Sequence, residues 1–261
     1  MSDFKKYLNV YEFDATTPGT GEVIRFKPLT TGQMKKVLVY ENEEDPMVIE
    51  HALDELIGSS VLNEGFDIKE MYLQDRFFLL VEIRKKTKGN LYQFEFSCPE
   101  CGSQSLQSVD LSNLHCKSPP SDINNIVKLD ENISLELDFV TRADQLVAYS
   151  YVIDKFGDTL SPLQLATETS LVANAIVVRK VITPEGADAE VSLEDKQFLL
   201  ESIPRGQYDE VTGWFEKYDF GLNFTFKLSC RHMKTPKFGT SHGKLCGYSK
   251  EMDIPMNQFF F

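Results

Sequence analysis

Cys98-Pro99-Glu100-Cys101-Gly102 stands one residue beyond an alternating run, Asn90-Leu-Tyr-Gln-Phe-Glu-Phe96, with Ser97 between them. The alternation has the two-residue period of a half-buried strand. A second run of this kind, Gly221 to Ser229, leads directly into Cys230, and Cys246-Gly247 follows. The two places align as aromatic strand, Ser-Cys, interval, Cys-Gly and a further strand-like run. The interval is two residues in the first copy (99–100) and fifteen in the second (231–245). Two cysteines on each of two hairpins is an arrangement from which a four-thiolate metal site is built.

The correspondence continues upstream. Val23-Ile-Arg-Phe-Lys-Pro-Leu-Thr-Thr-Gly-Gln-Met34 opens the first half, and the run from Ile133 through Thr141 to Leu146 opens the second. Both read as a strand, a threonine and the start of an amphipathic helix, with helical segments before the cysteine-bearing strand. Two copies are too few for a solenoid. The expected fold class is α+β and internally duplicated. Each half has a helical cluster and a short antiparallel β hairpin bearing a cysteine knuckle. The first half spans 1–117 and the second 133–261, which ends in the aromatic tail Phe259-Phe260-Phe261. Between them, 118–132 reads as a linker, because Pro119-Pro120 continues neither a helix nor a central strand.

Within the first half, helices are expected from Thr30 or Thr31 to Glu41, from Asp45 to Ile57, and from an Asp67 cap to Lys86. The centre of the third, Phe77 to Val81, is apolar all round and belongs in the middle of the half. In the second half the pattern predicts helices over 142–156, 162–181, 192–201 and 206–218. Thr16-Thr-Pro-Gly-Thr-Gly21 reads as a turn before a strand, since no Gly-Lys-Ser/Thr follows to complete a phosphate loop. Arg84-Lys85-Lys86-Thr87-Lys88 reads as a solvated basic helix end. Trp214 reads as core.

The 261 residues are 42% apolar with 19 Phe, enough for a substantial core. Charge is 27 basic against 40 acidic side chains, a net of −13. Non-specific nucleic-acid binding depends on Lys and Arg neutralising phosphates, so no direct nucleic-acid contact is expected. The longest apolar-rich runs, 77–81 and 171–178, fall far short of the ~20 residues that cross a bilayer, and the N-terminus lacks a signal-type apolar core. No membrane contact is expected. Five cysteines, an odd number, fit reduced thiols in a cytoplasm better than a disulfide framework.

Cys-Pro-X-Cys-Gly points two sulfurs at one spot, and the glycine lets the backbone turn. Tetrahedral zinc needs two more ligands. Cys230 and Cys246 are the first choice, giving a structural zinc held by Cys98, Cys101, Cys230 and Cys246. His115 or Cys116 is the local alternative, and His232 or His242 is a replacement within the second pair. Free buried thiols and a redox pair are competing readings. A redox Cys-X-X-Cys opens a helix, whereas Gly102 to Val109 reads as strand. No Gly-X-Ser-X-Gly, P-loop or His-Glu-X-X-His occurs, so no catalytic or cofactor-binding residue is assigned.

At this point the chain resembles the T4-type phage baseplate hub family. Arg25-Phe-Lys-Pro-Leu-Thr-Thr-Gly-Gln-Met34 is similar to its N-terminal signature. Phe77 to Arg84, Gly89 and Phe94-Glu-Phe-Ser-Cys-Pro-Glu-Cys-Gly102 are similar to its central motif, and the closing Phe-Phe-Phe also fits. The resemblance covers roughly 20–112 well and departs at the long interval between Cys230 and Cys246. It implies a non-enzymatic structural or assembly component of the baseplate hub of a contractile-tailed phage. The implied partners are other hub, spike or tape-measure proteins, met in the host cytoplasm during assembly and in the tail baseplate of the virion. A zinc-ribbon adaptor acting on host transcription or nucleic-acid machinery is the alternative function, and a thiol oxidoreductase a third.

Overall fold

The computed structural model describes residues 11–40, 46–234, 244–254 and 259. Strands β1 (Phe13–Thr16) and β2 (Val23–Phe26) form an antiparallel hairpin. Helix α1 (Thr31–Leu38) starts at a reciprocal cap. The Thr30 hydroxyl accepts from the Gln33 N–H, and Gln33 Oε1 accepts from the Thr30 N–H. After helix α2 (Pro46–Ser60) the chain returns to the hairpin, where Val61 bridges Phe26. Helix α3 (Leu73–Lys88) then leads into the hairpin of β3 (Leu91–Ser97) and β4 (Gln104–Asp110).

Asp67 is a cap, but of a short 3-10 turn, Ile68–Glu70, and α3 begins only at Leu73. The residues between are committed to extended pairing with the second half. The Leu73 N–H donates to Val140 O at 3.0 Å and the Arg142 N–H to Met71 O at 2.9 Å.

Strand β5 (Cys116–Lys117) is followed by β6 (Ile126–Lys128), which lies within the stretch read as linker and pairs with β7 (Ser134–Leu137). Helix α4 (Arg142–Phe156) starts at a second reciprocal cap, between Thr141 and Asp144. Helix α5 (Pro162–Ile176) ends earlier than the expected 181, and the chain turns into β8 (Val178–Thr183). A short apolar run satisfies helical and strand periods alike. Pairing decides it here: Val181 lies opposite the fully buried Leu135, and β8 joins β7 to β9 (Gly186–Asp188) in a four-stranded antiparallel sheet, β6-β7-β8-β9.

Helices α6 (Leu193–Ser202) and α7 (Arg205–Lys217) complete the helical part. Strand β10 (Gly221–Leu222) pairs with β5. Strand β11 (Thr225–Ser229) pairs with β14 (Ser249–Asp253), and the small hairpin of β12 (Met233–Lys234) and β13 (Lys244–Leu245) lies between them. The order hairpin, two helices, return to the hairpin, helix, cysteine-bearing hairpin occurs in both halves. The second half adds β9 and α6 before its last helix. The molecule is thus mixed α and β with small antiparallel sheets.

Core membership crosses the sequence boundary. One cluster joins Ile24, Phe26, Ile57 and Leu79 of the first half to Leu228, Ile254 and Phe259. A second is built on Leu135, Leu137, Val178, Val211 and Trp214. Trp214 is core as expected, with its indole N–H donated to Asn124 O at 2.7 Å. Arg84 is not the solvated cation that its basic run suggested. It is buried, donates to the carbonyls of Phe259, Gly89 and Leu91, and lies against the rings of Tyr92 and Phe259. Phe260 and Phe261 lie outside the described residues.

The halves also meet through charge. Arg76 of α3 and Arg142 of α4 are both wholly buried, and both turn to Asp54 of α2. Arg76 Nε lies 2.6 Å from Asp54 Oδ1 and Arg142 Nε 2.8 Å from Asp54 Oδ2. Arg76 Nη1 adds a 2.7 Å off-axis contact with Glu50 Oε2, an ion pair rather than a hydrogen bond. The Thr17–Thr20 turn docks on α3 beside this junction. Asp75 accepts from the Gly19 N–H at 2.7 Å and the Thr20 N–H at 3.1 Å. Only glycine fits at position 19, since a Cβ there would stand 2.4 Å from the Phe220 ring. The segment is a turn, as its sequence indicated.

Candidate metal centre

The two cysteine-bearing ribbons end in the same register. In the first, Ser97 pairs with Gln104, and beyond that pair the Cys98 N–H donates to Ser103 O at 2.9 Å. In the second, Ser229 pairs with Ser249, and the Cys230 N–H donates to Tyr248 O at 2.9 Å. The glycine after the second cysteine has a left-handed backbone in both, φ 68° at Gly102 and 73° at Gly247. A side chain would be strained there, which is why Cys-Gly recurs. The fifteen-residue interval (231–245) therefore leaves the cysteine positions unchanged.

Aromatic packing brings the two tips together. Phe94 meets Phe226 edge to face at 5.5 Å, and Phe96 stacks on Tyr248 at 6.1 Å. The sulfurs of Cys98, Cys101, Cys230 and Cys246 all fall within 4.8 Å of one another. Cys98 Sγ is 3.7 Å from Cys246 Sγ, and Cys101 Sγ is 3.7 Å from Cys230 Sγ. These close contacts run between ribbons rather than within one. The four thiols are free, with no disulfide among them. A tetrahedron with metal–sulfur bonds of about 2.3 Å has edges of about 3.8 Å, so the spacing suits a tetrahedral thiophilic cation.

The thiol chemistry agrees with this donor set. Hydrogen bonds from the Ser103 side chain and backbone bring the Cys101 thiol down to about 6. The Tyr248 backbone N–H pulls Cys246 down, but burial and the neighbouring sulfurs of Cys101, Cys98 and Cys230 outweigh it and push Cys246 up to about 11. Thiolates so close repel one another, and a dication removes that conflict by binding all of them deprotonated. Ser103 was not foreseen from the sequence. Its hydroxyl lies 3.1 Å from Cys101 Sγ and 3.6 Å from Cys230 Sγ, linking the two ribbons beside the sulfurs.

The alternative ligands lie elsewhere. Cys116 is exposed in β5, outside the cluster. His115 uses its carbonyl to accept from the Asn223 N–H, and His232 uses its carbonyl to accept from the Cys246 N–H; neither imidazole is in the cluster. His242 lies outside the described residues.

A family model described as T4 bacteriophage base plate protein matches residues 9–240. The chain belongs to that family. The match carries a structural role in the phage baseplate, with other baseplate components as its contacts and the virion tail as its place. It contains Cys98, Cys101 and Cys230, while Cys246, β14 and the tail of this baseplate protein lie beyond it. Neither the curated proteins nor the solved structures compared with the chain include a match. Among the described residues, no helix is long and apolar enough to cross a membrane.

Proposed function

We propose that this baseplate protein is a structural or assembly component of the hub, works through protein–protein contacts without catalysis, and is stapled internally by one zinc ion. The family match over residues 9–240 supports the baseplate reading. The hub, spike and tape-measure proteins are its partners on this reading, first in the host cytoplasm and then in the tail. Zinc is the proposed occupant of the sulfur cluster because an all-thiolate tetrahedral set is its structural signature. Cys98, Cys101, Cys230 and Cys246 would be its ligands, with no position left open for substrate. The parallel element order and the shared cysteine register support reading the halves as copies of one unit.

Two measurements test this. Mass spectrometry of purified tails, beside pull-downs of unassembled hub subunits, should find the chain in one or both. Absence from both removes the hub reading. Metal analysis of the purified full chain should give one zinc per chain. Cys98→Ser should lose the metal and melt at a lower temperature, because metal binding is coupled to folding. A metal-free native protein whose melting does not respond to zinc removes the staple.

A further inference from the structure

The interior between the two cysteine ribbons is aromatic over β3 but polar over β4. Phe94 and Phe96 of β3 meet Phe226 and Tyr248, whereas β4 turns Ser105 and Gln107 inward, half-buried and bonded to each other at 2.9 Å. Beneath β4 lies a groove of about 440 Å³ whose other wall is β11. The groove is lined by every residue from Gln104 to Ser108, and on the other side by Phe226, Lys227 and the run from Ser229 to His232. A strand seen face-on presents every second residue. The unbroken run along β4, and the neighbours Phe226 and Lys227 on β11, mean that the strands are seen edge-on. Among the described residues, each wall strand is bonded on one side only, β4 to β3 and β11 to β14.

An open strand edge is a template for another strand. The chemistry of this one is selective. Lys227 and Arg231 line the groove and, among the described residues, no carboxylate does, in a chain whose net charge is −13. The remaining lining is mostly serine and glutamine, which accept or donate hydrogen bonds to a polar strand. We propose that the groove takes an extended acidic segment of a partner polypeptide, which adds as a third strand beside β11 and runs beneath β4. Backbone hydrogen bonds to the β11 edge hold it, and its carboxylates face Lys227 and Arg231. This surface is independent of which baseplate component supplies the segment, so its failure would leave the hub reading untouched.

The test uses the zinc-loaded full chain and a fluorescein-labelled eight-residue peptide alternating Thr and Asp, read by fluorescence anisotropy. Three controls accompany it: the Thr/Lys peptide, a Thr/Asp peptide N-methylated at alternate residues, and the double variant Lys227→Glu, Arg231→Glu. Each control should weaken binding at least tenfold, with circular dichroism and metal content of the variant unchanged. Amide exchange in Gln104–Ser108 and Thr225–Ser229 should slow at saturating peptide. Absence of Thr/Asp binding overturns the proposal. Binding that survives N-methylation also overturns it, since that reports surface charge attraction alone. Unchanged exchange along both strands does the same. A variant that loses structure is replaced by Lys227→Gln, Arg231→Gln, with the same tenfold criterion.

Discussion

At the scale of single residues, two buried arginines and one carboxylate decide how the halves are joined. Asp54 receives both Arg76 and Arg142, one from each half, and neither arginine reaches water. Removing one partner of a buried ion pair leaves the other uncompensated, at a cost of about 3–5 kcal/mol. Asp54→Ala should therefore destabilise the chain by that order in denaturant titration. A loss under ~1 kcal/mol would mean that the arginines find other acceptors or water. Phe259 makes a second such point. Its ring is buried 5.3 Å from Tyr92, and its carbonyl accepts from Arg84 Nε at 3.0 Å. Phe259→Ala should cost about 3 kcal/mol, read as a lower melting temperature of the isolated protein. Unchanged melting together with loss of incorporation into tails would assign the ring to assembly instead.

At the scale of elements, the interval between Cys230 and Cys246 is separable from the hairpin that carries it. Cys230 pairs across to Tyr248 as Cys98 does to Ser103, and β12 and β13 form their own small ribbon inside the interval. Replacing residues 231–245 by the Pro-Glu spacer of the first copy should keep the metal content of the parent chain, one zinc on the proposed reading, and leave melting within a few degrees. Closing a shorter loop costs slightly less entropy, so no penalty is expected from the chain itself. Loss of metal in that variant would show that the interval shapes the site.

The same elements show what was legible beforehand. The β3 and β11 strands, the turns with Cys-Gly and the helix start at Thr30 or Thr31 follow from local chemistry, and all are present. Strand β8 was read as the end of α5 because Val177, Val178 and Val181 suit either period, and only pairing with β7 separates the two. The burial of Arg84 and Arg142 was invisible for a related reason. A charged residue looks solvated until the partner that neutralises or hydrogen-bonds it is known, and Phe259 for Arg84 and Asp54 for Arg142 are distant in sequence. The cysteine positions were legible because their Ser-Cys and Cys-Gly settings beside an aromatic strand repeat, whereas Ser103 is one serine among many until the fold places it between two sulfurs.

At the scale of the whole molecule, the second cysteine ribbon is held to the first half by two different means. One is apolar: Leu228, Ile254 and Phe259 share a core with Ile24, Phe26 and Leu79. The other is the sulfur cluster at the ribbon tips, where the closest contacts cross from one ribbon to the other. The means differ in what removes them. With the proposed zinc bound, chelation would take away only the second, and with it the stabilisation that ligand binding gives the folded state. The core contacts and the Asp54 junction remain, so the chain should not unfold as a whole. Local opening should appear first at the tips, where the metal would act. Hydrogen exchange followed by mass spectrometry should therefore speed up on chelation in peptides covering 98–103 and 230–234, while peptides covering Leu135 and Trp214 keep their protection. Readdition of zinc should restore the slow rates. Loss of protection throughout the chain would make the metal a requirement for folding both halves. Unchanged exchange at the tips would mean that no metal fastens them, leaving the shared core and the aromatic packing of Phe94 on Phe226 and Phe96 on Tyr248 to hold the ribbons together.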